Sequence, residues 1–381
     1  MLRTRAGCPV SSGMNVRNML LKARYLLHLP AVGRLIQRPY HGQIQVTRRC
    51  NARCLYCRVW SENGAERNEL SLEEMKVLSR SLRTAGLKSV VITGGEPLLR
   101  KDLTEIIAAF KNDGMLVRLQ TNGILLTAGL LEGFFASGLD DIYISLDTLR
   151  EEHFAAISGL QSEGVHGTVL RNIAEASATA RRYRAGAFLI TVVQQYNAGE
   201  IDDLVRFAKD NRCLIGFYGM EVGSLRDAND IRTGDRNLVP DDEQRERMRG
   251  AFLRARELKQ QKDSPVFNSV RLIDDYLRFY AQGGQDMHWK CHAGEYYLVV
   301  LPDGSISVCN ATPGMKEYDY RNIHELYRRP DTSEICRRYR KTCSGCICTR
   351  QLDYLISDPL DTLQKTWLYA RATLFGTEGR S

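Results

Sequence analysis

The stretch Cys50-Asn51-Ala52-Arg53-Cys54-Leu55-Tyr56-Cys57 is the most informative part of the sequence, because it places three thiols within eight residues. Three thiolates this close can hold one face of an iron–sulfur cube, which needs four ligands in total. No fourth cysteine lies nearby in the sequence, so one iron would keep an open position for a substrate or cofactor. The spacing therefore favours a [4Fe–4S] site where chemistry takes place over a site that only stores electrons.

Zinc and unligated thiols are the alternatives for this triplet. Structural zinc takes four closed ligands, usually in paired cysteine or cysteine/histidine sets. The triplet contains no histidine, and His41 lies nine residues upstream of Cys50. A disulfide framework fits less well, because three is an odd number and the long chain shows no signal peptide. Zinc and inert thiols stay open on spacing alone.

Three apolar runs follow the triplet, and each ends in glycine or polar residues where a buried strand would finish. Residues 89–93 end in Gly94-Gly95-Glu96-Pro97, residues 116–120 end in Thr121-Asn122-Gly123, and residues 142–146 end at Asp147. The carboxyl ends of parallel strands form the edge where α/β sheets and barrels bind ligands. Two glycines at such an edge let backbone groups approach a ligand closely.

In this order and spacing, the triplet and the strand-end motifs resemble the radical S-adenosylmethionine (SAM) superfamily, over about residues 42–225. The resemblance implies that Cys50, Cys54 and Cys57 bind a [4Fe–4S] cluster whose open iron is chelated by the methionine end of SAM. The resemblance also implies which residues bind SAM. Gly94, Gly95, Glu96 and Pro97 would hold the methionyl amino group, and Tyr56 and Asn122 would lie close to the cofactor. Ser145 and Asp147 are candidates for the ribose, and residues 192–194 are weaker candidates for contact with the adenine. Capping and turn hydrogen bonds are the alternative for the ribose candidates.

The alternation of strands and helices predicts an α/β fold, a partial (β/α)6 radical SAM barrel followed by a small cysteine-rich α+β domain. Strands are predicted near 43–47, 89–93, 116–120, 142–146, 187–193 and 213–219. The capping box Ser71-Leu72-Glu73-Glu74 starts a helix on which Leu72, Met75, Leu78 and Leu82 recur at helical spacing. Residues 102–110 and 198–209 repeat this pattern. Strands separated by helices indicate parallel crossovers.

A second cysteine set occupies the C-terminal third. Seventeen residues separate Cys291 from Cys309, and residues 296–301, Pro302-Asp303-Gly304 and residues 305–308 predict a β-hairpin between them. Such a hairpin would bring the two thiols toward one site. Together with the pair Cys343-Ser344-Gly345-Cys346, they can complete a closed site of four thiolates. On geometry alone that site suits zinc as well as an auxiliary [4Fe–4S] cluster.

The segment from Cys291 to Cys348 resembles a SPASM or twitch extension, the auxiliary-cluster module that follows many radical SAM barrels. The longer cysteine series of a two-cluster SPASM domain is missing, so the resemblance implies the single-cluster twitch form. Its ligands would be Cys291, Cys309, Cys343 and Cys346, with Cys348 as a substitute for Cys346. Cys336 is a spare thiol or an unrecognised ligand, and Cys8 and Cys213 look incidental.

Composition narrows the class of protein. The chain has 381 residues, of which 43% are hydrophobic, enough for one large core and a satellite domain, and no apolar run is long enough to span a membrane. Eleven cysteines indicate a reducing, cytoplasmic compartment. The net charge of +8 is spread over amphipathic helices, which argues against nucleic acid. A basic surface suits an acidic flavodoxin or ferredoxin as electron donor.

The predicted organisation has five parts. They are a basic helical extension (1–40), the radical SAM partial barrel (41–225), a helical connector that shapes the pocket (226–290), the auxiliary-cluster domain (291–350), and a C-terminal helix and tail (351–381). The extension can pack against the barrel or lie on a membrane surface. Its forty residues are too few for an independent peptide-binding domain.

These parts predict an enzyme that cleaves SAM to a 5′-deoxyadenosyl radical, removes a substrate hydrogen atom and oxidises an alcohol or sugar-like small molecule, with the auxiliary cluster as electron acceptor. One alternative is a maturase of ribosomal peptides. Another is a molybdenum-cofactor GTP cyclase, a family that shares residues 93–100 but ends in Gly-Gly, where this chain has Gly379-Arg380-Ser381. A third is a non-enzymatic electron carrier. The sequence assigns neither a catalytic base nor an oligomeric state.

Overall fold

The computed structural model of this chain describes residues 39–62, 69–161, 163–220, 236–283, 291–310, 312, 314–341 and 347. The strands are β1 (His41–Gln45), β2 (Ser89–Thr93), β3 (Leu116–Thr121), β4 (Asp141–Ser145), β5 (Gly186–Val193), β6 (Leu214–Gly219), β7 (Tyr297–Val300), β8 (Ser305–Ser307) and β9 (Gly314–Asp319). The helices are α1 (Leu72–Ala85), α2 (Leu103–Asn112), α3 (Ala128–Ala136), α4 (Glu151–Ser158), α5 (Val165–Arg182), α6 (Ile201–Asp210), α7 (Asp242–Gln260), α8 (Val270–Ala281), α9 (Ile323–Leu326) and α10 (Thr332–Arg340). Short 3-10 turns lie at Val59–Glu62, Pro97–Leu99 and Arg236–Leu238.

The described strands form one open sheet in the order β6-β5-β4-β3-β2-β1-β7-β8-β9. Strands β1 to β6 pair in parallel, each with its neighbour along the chain, as helical crossovers require. The six strands predicted for the partial barrel are confirmed within about two residues. The predicted helices correspond to α1, α2 and α6, the last of which begins three residues later than predicted.

Helix α1 shows why these segments fold locally. The Ser71 side chain accepts from the Glu74 backbone N–H, and the Glu74 carboxylate accepts from the Ser71 N–H, which completes the predicted capping box. The helix ends at Gly86, whose φ of 105° is in the left-handed region that glycine adopts without strain. Between these caps, Met75, Leu78 and Leu82 are fully buried against the sheet.

The strands of the barrel divide their side chains between a helix-facing core and a cavity-facing wall, because successive residues point to opposite faces. Apolar side chains fill the core at Ile44, Ile92, Leu119, Ile144, Leu189 and Phe217. Polar side chains from alternate positions line a cavity on the other face, at Gln43, Gln45, Thr93, Gln120, Ser145 and Tyr218. The polar wall is the part of the fold that positions the site.

The end of the sheet opposite the strand C-termini is closed by a polar cluster. Ser89 Oγ lies 3.0 Å from His41 Nδ1 and accepts from Arg118 Nη1 at 3.0 Å. Arg118 Nε donates to Asp141 Oδ2 at 3.3 Å. Burial, followed by the charge of Arg118, lowers the pKa of His41 to about 3. His41 is therefore neutral at physiological pH.

The C-terminal hairpin extends the barrel sheet. Strand β7 pairs in parallel with β1, and β8 and β9 add antiparallel strands beyond it. The predicted hairpin between Cys291 and Cys309 is therefore confirmed, and its first strand is joined to the barrel. Helix α9 follows, with the His324 ring 3.1 Å from the Ser81 hydroxyl of α1.

The predicted domain bounds remain a proposal. Most of the basic extension (1–40) and all of the C-terminal helix and tail (351–381) lie outside the described residues. Among the helices that are described, none has the length and apolar character needed to cross a membrane.

Candidate functional site

The cysteine triplet lies on the loop that follows β1. This loop is fixed to the end of α4, because the Arg53 N–H donates to Ser158 O at 2.8 Å and the Leu55 N–H donates to Ile157 O at 3.0 Å. The Cys57 N–H donates to Cys54 O at 3.1 Å and closes a tight turn. Backbone contacts thus fix the path of the loop that carries the three thiols.

The glycine pair after β2 is packed against the same loop. The Gly95 N–H donates to Thr47 O at 2.7 Å, and the Glu96 N–H donates to Arg49 O at 2.8 Å. A Cβ atom would lie 2.3 Å from Thr47 O at Gly94, whose φ is 142°, and 2.1 Å from Arg49 O at Gly95. The glycines are therefore required by the backbone that leads into Cys50, in addition to any ligand that approaches them.

Glu96 joins the ends of two strands. Its side chain is almost fully buried, and Oε1 accepts from Thr121 Oγ1 at 2.7 Å and from the Leu98 N–H at 3.0 Å. Oε2 accepts from the Asn122 N–H at 2.8 Å. Burial is the largest influence and raises the pKa of Glu96. Asn122 in turn donates from Nδ2 to Asn51 Oδ1 at 2.7 Å, which links this edge to the cysteine loop.

Asp147 and Tyr56 form a hydrogen-bonded pair at the end of β4. Tyr56 Oη donates to Asp147 Oδ2 at 2.7 Å, and Asp147 Oδ1 accepts from the Val192 N–H at 2.8 Å. Burial raises the pKa of Asp147 to about 6 and, together with the nearby carboxylate, raises the pKa of Tyr56 as well. Asp147 therefore holds the aromatic residue of the triplet in place.

One cavity of about 320 Å³ brings most of the predicted residues together. It is lined by Cys50, Cys54, Tyr56, Cys57, Gly94, Gly95, Glu96, Asn122, Ser145 and Val192. Pro97 and Asp147 are not part of its lining, and neither is the buried Gln194. Of the two ribose candidates, Ser145 is the one whose side chain reaches the cavity.

Sequence reasoning missed the polar wall of this cavity. Gln43, Gln45, Gln120 and Tyr218 lie on the sheet face that lines it, with no motif around them. Parallel strands buried on both faces are usually apolar throughout. The sequence signal that could have predicted the polar wall is the amide and hydroxyl side chains at alternate positions inside such strands.

The three thiols fit a cluster better than a single ion. Burial is the first cause that raises the pKa of Cys54 and Cys57, and it raises the pKa of Cys50 to about 11. A thiolate in such a place needs a positive partner, which bound iron supplies. Within the described residues, no three Cys, His, Asp or Glu side chains converge on a position for one metal ion. Thiols that bind separate irons do not need to converge in that way.

The second cysteine set is described only in part. Cys309 and Cys336 are buried, and Cys291 is half-buried with its Sγ 3.5 Å from Tyr297 Oη. Cys336 packs so closely on Gly294 that a Cβ there would lie 2.8 Å from its Sγ, and burial raises its pKa to about 12. The predicted ligands Cys343, Cys346 and Cys348 lie outside the described residues.

Comparison with known proteins decides the class of this site. The model of the radical SAM superfamily matches residues 44–208, which contain the triplet and the strand-end motifs. Residues 44–208 form a radical SAM domain. A probable GTP 3′,8-cyclase of Thermococcus kodakarensis is 33% identical to this chain over 181 residues, 47% of this chain and 56% of the relative. The chain thus spans about half the length of the curated relatives that it matches.

Solved structures extend the likeness of fold beyond the radical SAM domain. One such structure is SuiB of Streptococcus suis bound to the precursor peptide SuiA, with a TM-score of 0.60 at 15% identity. The alignment covers 91% of this chain and 80% of the SuiB chain. A second is native anSMEcpe with bound AdoMet, with a TM-score of 0.53 at 16% identity. Here the alignment covers 87% of this chain and 97% of the anSMEcpe chain. At such identities the likeness concerns the radical SAM fold alone.

Proposed function

We propose that this protein is a radical SAM enzyme that oxidises a neutral alcohol or sugar-like small molecule. The observation that carries the proposal is the composition of one cavity. Its walls combine the three thiols, the glycine edge and an uncharged polar face of amide and hydroxyl groups. Cofactor and substrate would therefore share one enclosure, with the reacting atoms held at short range.

The residues of the cavity have separate tasks in this proposal. Cys50, Cys54 and Cys57 would hold the [4Fe–4S] cluster, and the backbone at Gly94 and Gly95 would receive the methionyl end of SAM. When bound, the cluster and SAM supply a 5′-deoxyadenosyl radical that takes a hydrogen atom from a substrate C–H bond. Tyr56, fixed by Asp147, and Ser145 contribute to the adenosine side of the site.

The apolar part of the lining excludes water from the reacting atoms. Ile190, Val192 and Met220 contribute aliphatic surface to the cavity, and the Tyr276 ring comes from α8. A dry wall protects a carbon radical from side reactions. In this proposal the connector contributes to the pocket through Tyr276.

Net oxidation requires that the substrate radical lose an electron and a proton after hydrogen-atom removal. We assign the electron to an auxiliary cluster held by Cys291, Cys309, Cys343 and Cys346, with Cys348 as the substitute for Cys346. The hairpin supports this assignment because β7 joins the second cysteine set to β1, which borders the cavity. A flavodoxin or ferredoxin remains the proposed electron donor to the first cluster. The described cysteines are free thiols, in keeping with a reducing, cytoplasmic location.

A GTP cyclase is the first alternative, because curated relatives carry that name. A nucleoside triphosphate needs cationic side chains to neutralise its phosphates. The described residues that line the cavity include no lysine or arginine. This argues for a neutral substrate.

A peptide maturase is the second alternative. The fold of SuiB, solved with a precursor peptide, matches 91% of this chain. The described cavity has a volume of about 320 Å³, which suits a compact molecule at least as well as an extended peptide.

The test uses anaerobically reconstituted protein with dithionite as reductant. Iron and sulfide are counted, 5′-deoxyadenosine is quantified, and three substrate classes are compared: carbon-deuterated alcohols, a serine-containing peptide and GTP. We expect deuterium from an alcohol to appear in 5′-deoxyadenosine, with a carbonyl product. Cyclisation of GTP, or turnover of the peptide alone, would contradict the assignment of the substrate.

A further inference from the structure

The side-chain oxygen of Gln45, the last residue of β1, is an unusual hydrogen-bond acceptor. Its side chain lines the cavity and is only 1% exposed. Its Nε2 donates to Asn310 Oδ1 at 2.9 Å, whereas its Oε1 is buried and has no hydrogen-bond partner in the described part of the chain. Because buried polar atoms almost always have partners, an unpaired acceptor on a cavity wall indicates that a ligand provides the donor.

The orientation of this side chain is fixed by two other amides. Asn310 Nδ2 donates to Gln43 Oε1 at 2.9 Å, and Gln43 lies two residues before Gln45 on the same face of β1. We name these three side chains, Gln43, Asn310 and Gln45, the amide triad. Asn310 donates to Gln43 and accepts from Gln45, which leaves Gln45 Oε1 as the amide oxygen of the triad without a partner in the described part of the chain.

Asn310 lies in a loop of the C-terminal segment in which Ser307 makes buried hydrogen bonds. The Ser307 hydroxyl lies 2.8 Å from the carbonyl oxygens of Cys309 and Thr312, and both Ser307 and Thr312 are fully buried. This loop follows the hairpin that pairs with β1. The pairing of the hairpin with β1 therefore brings Asn310 next to Gln43 and Gln45.

The surroundings of Gln45 determine what kind of donor fits. Ser145 and Tyr218 line the same cavity, so the wall can both donate and accept hydrogen bonds. A hydroxyl group also does both, whereas a peptide N–H only donates. The described lining contains no lysine or arginine that would call for an anion.

We propose that Gln45 is a specificity-determining residue that accepts a hydrogen bond from a hydroxyl group of a small, neutral substrate, and that Asn310 and Gln43 are its positioning residues. This inference deepens the proposed function and rests on it. It assigns the polar side chains of β1 to the substrate and the glycine pair that follows the neighbouring strand β2 to SAM.

The experiment replaces the acceptor with an apolar group of similar volume, Gln45→Leu. The probes are carbon-deuterated glycerol, D-glucose and D-sorbitol, and deuterium transfer into 5′-deoxyadenosine is measured together with the dissociation constant for SAM. For the productive probe we expect kcat/KM to fall by about tenfold or more, mainly through KM, because a lost acceptor leaves a substrate donor unsatisfied. The affinity for SAM should stay unchanged. Gln260→Leu, the same change at an exposed position of α7, is the control.

A second variant separates binding from folding. Asn310→Ala leaves the Gln45 oxygen in place but releases its side chain, so we expect a smaller loss of kcat/KM in the same direction. A deoxy analogue of the productive probe should lose affinity for the wild type and lose no more for Gln45→Leu.

Two outcomes would overturn the assignment of Gln45. They are an unchanged KM in Gln45→Leu or an equal loss of SAM affinity in that variant. Failure of the proposed function looks different, because wild-type protein would then transfer deuterium from none of the alcohols into 5′-deoxyadenosine.

Discussion

The two cysteine sets of this chain are built in different ways. Cys50, Cys54 and Cys57 lie on one loop, and all three line the same cavity. In the second set, Cys309 follows a hairpin and Cys336 lies on α10, and both are buried in apolar packing. The first set is therefore determined by local spacing, and the second by the way distant segments pack. This difference explains why eight residues suffice to predict one site, while the other needs the whole C-terminal fold.

The largest expected effect comes from the first set. Cys54→Ala removes one of the three proposed anchors, so we expect loss of the iron of the first cluster and of all SAM cleavage. Iron counting and quantification of 5′-deoxyadenosine check this. Cys213→Ala, a change of the same kind in the buried core, should leave both quantities near wild type. Retention of SAM cleavage in Cys54→Ala would contradict the assignment of the first cysteine set to the cluster that cleaves SAM.

Gly95→Ala tests whether the glycine edge serves the first set directly. The new Cβ would lie 2.1 Å from Arg49 O, and backbone cannot move aside as a flexible side chain can. We expect a loss of about 3 kcal/mol or more in the free energy of unfolding, together with reduced iron content.

Gly129→Ala is the matched control for that change. Gly129 lies in α3 with nothing within 4 Å of the added atom, so alanine should stabilise the helix by about 0.5–1 kcal/mol. Equal effects of the two substitutions in chemical denaturation would show that the cysteine loop does not need the bare backbone.

Within the second set, Cys343→Ala should act on one stage only. We expect the loss of the auxiliary cluster's iron and of product, while 5′-deoxyadenosine still forms from the intact first cluster. Cys336→Ala should keep the full iron content and lower stability by about 1 kcal/mol, because this thiol packs against Gly294. Normal product formation by Cys343→Ala would refute the role of electron acceptor.

The smallest expected effect concerns the contact of Tyr56 with Asp147. Tyr56→Phe removes a hydrogen bond to a carboxyl group whose pKa is raised by burial to about 6. Above that pH the carboxylate is ionised and the bond is strong, so the loss of stability should be about 1.5–3 kcal/mol at pH 8. At pH 5 the carboxyl is protonated, and the loss should shrink to about 0.5–1.5 kcal/mol.

Unfolding at the two pH values measures this difference. Tyr196→Phe, at a tyrosine that is 38% exposed, should show no such pH dependence. A loss of equal size at both values would mean that Asp147 does not change its charge between them.

Much of the barrel could be predicted from sequence, because its signals are local. The capping box at Ser71 and the apolar run of β2 each act within a few residues, and both appear where expected. The pairing of β7 with β1 joins segments more than 250 residues apart, and no local pattern encodes it. The polar cluster of His41, Ser89, Arg118 and Asp141 is of the same kind, since its members meet only through the register of the sheet.

In the candidate site too, local motifs could be predicted from the sequence, whereas contacts between distant segments could not. Glu96 was predicted from a motif, but its task of joining β2 to β3 depends on the positions of Thr121 and Asn122 in space. The amide triad was missed altogether, because Gln43 and Gln45 acquire their meaning from Asn310. Spacing predicts groups that bind one ligand from one loop, whereas side chains that converge from several strands become visible only in three dimensions.

The seam between β1 and β7 also has a consequence for shortened versions of this chain. A fragment that ends before residue 291 would expose one side of β1, with its amide and carbonyl groups unpaired. Bare strand edges recruit other strands, and such a fragment should therefore self-associate. The hairpin thus protects the barrel from aggregation, whatever its thiols bind.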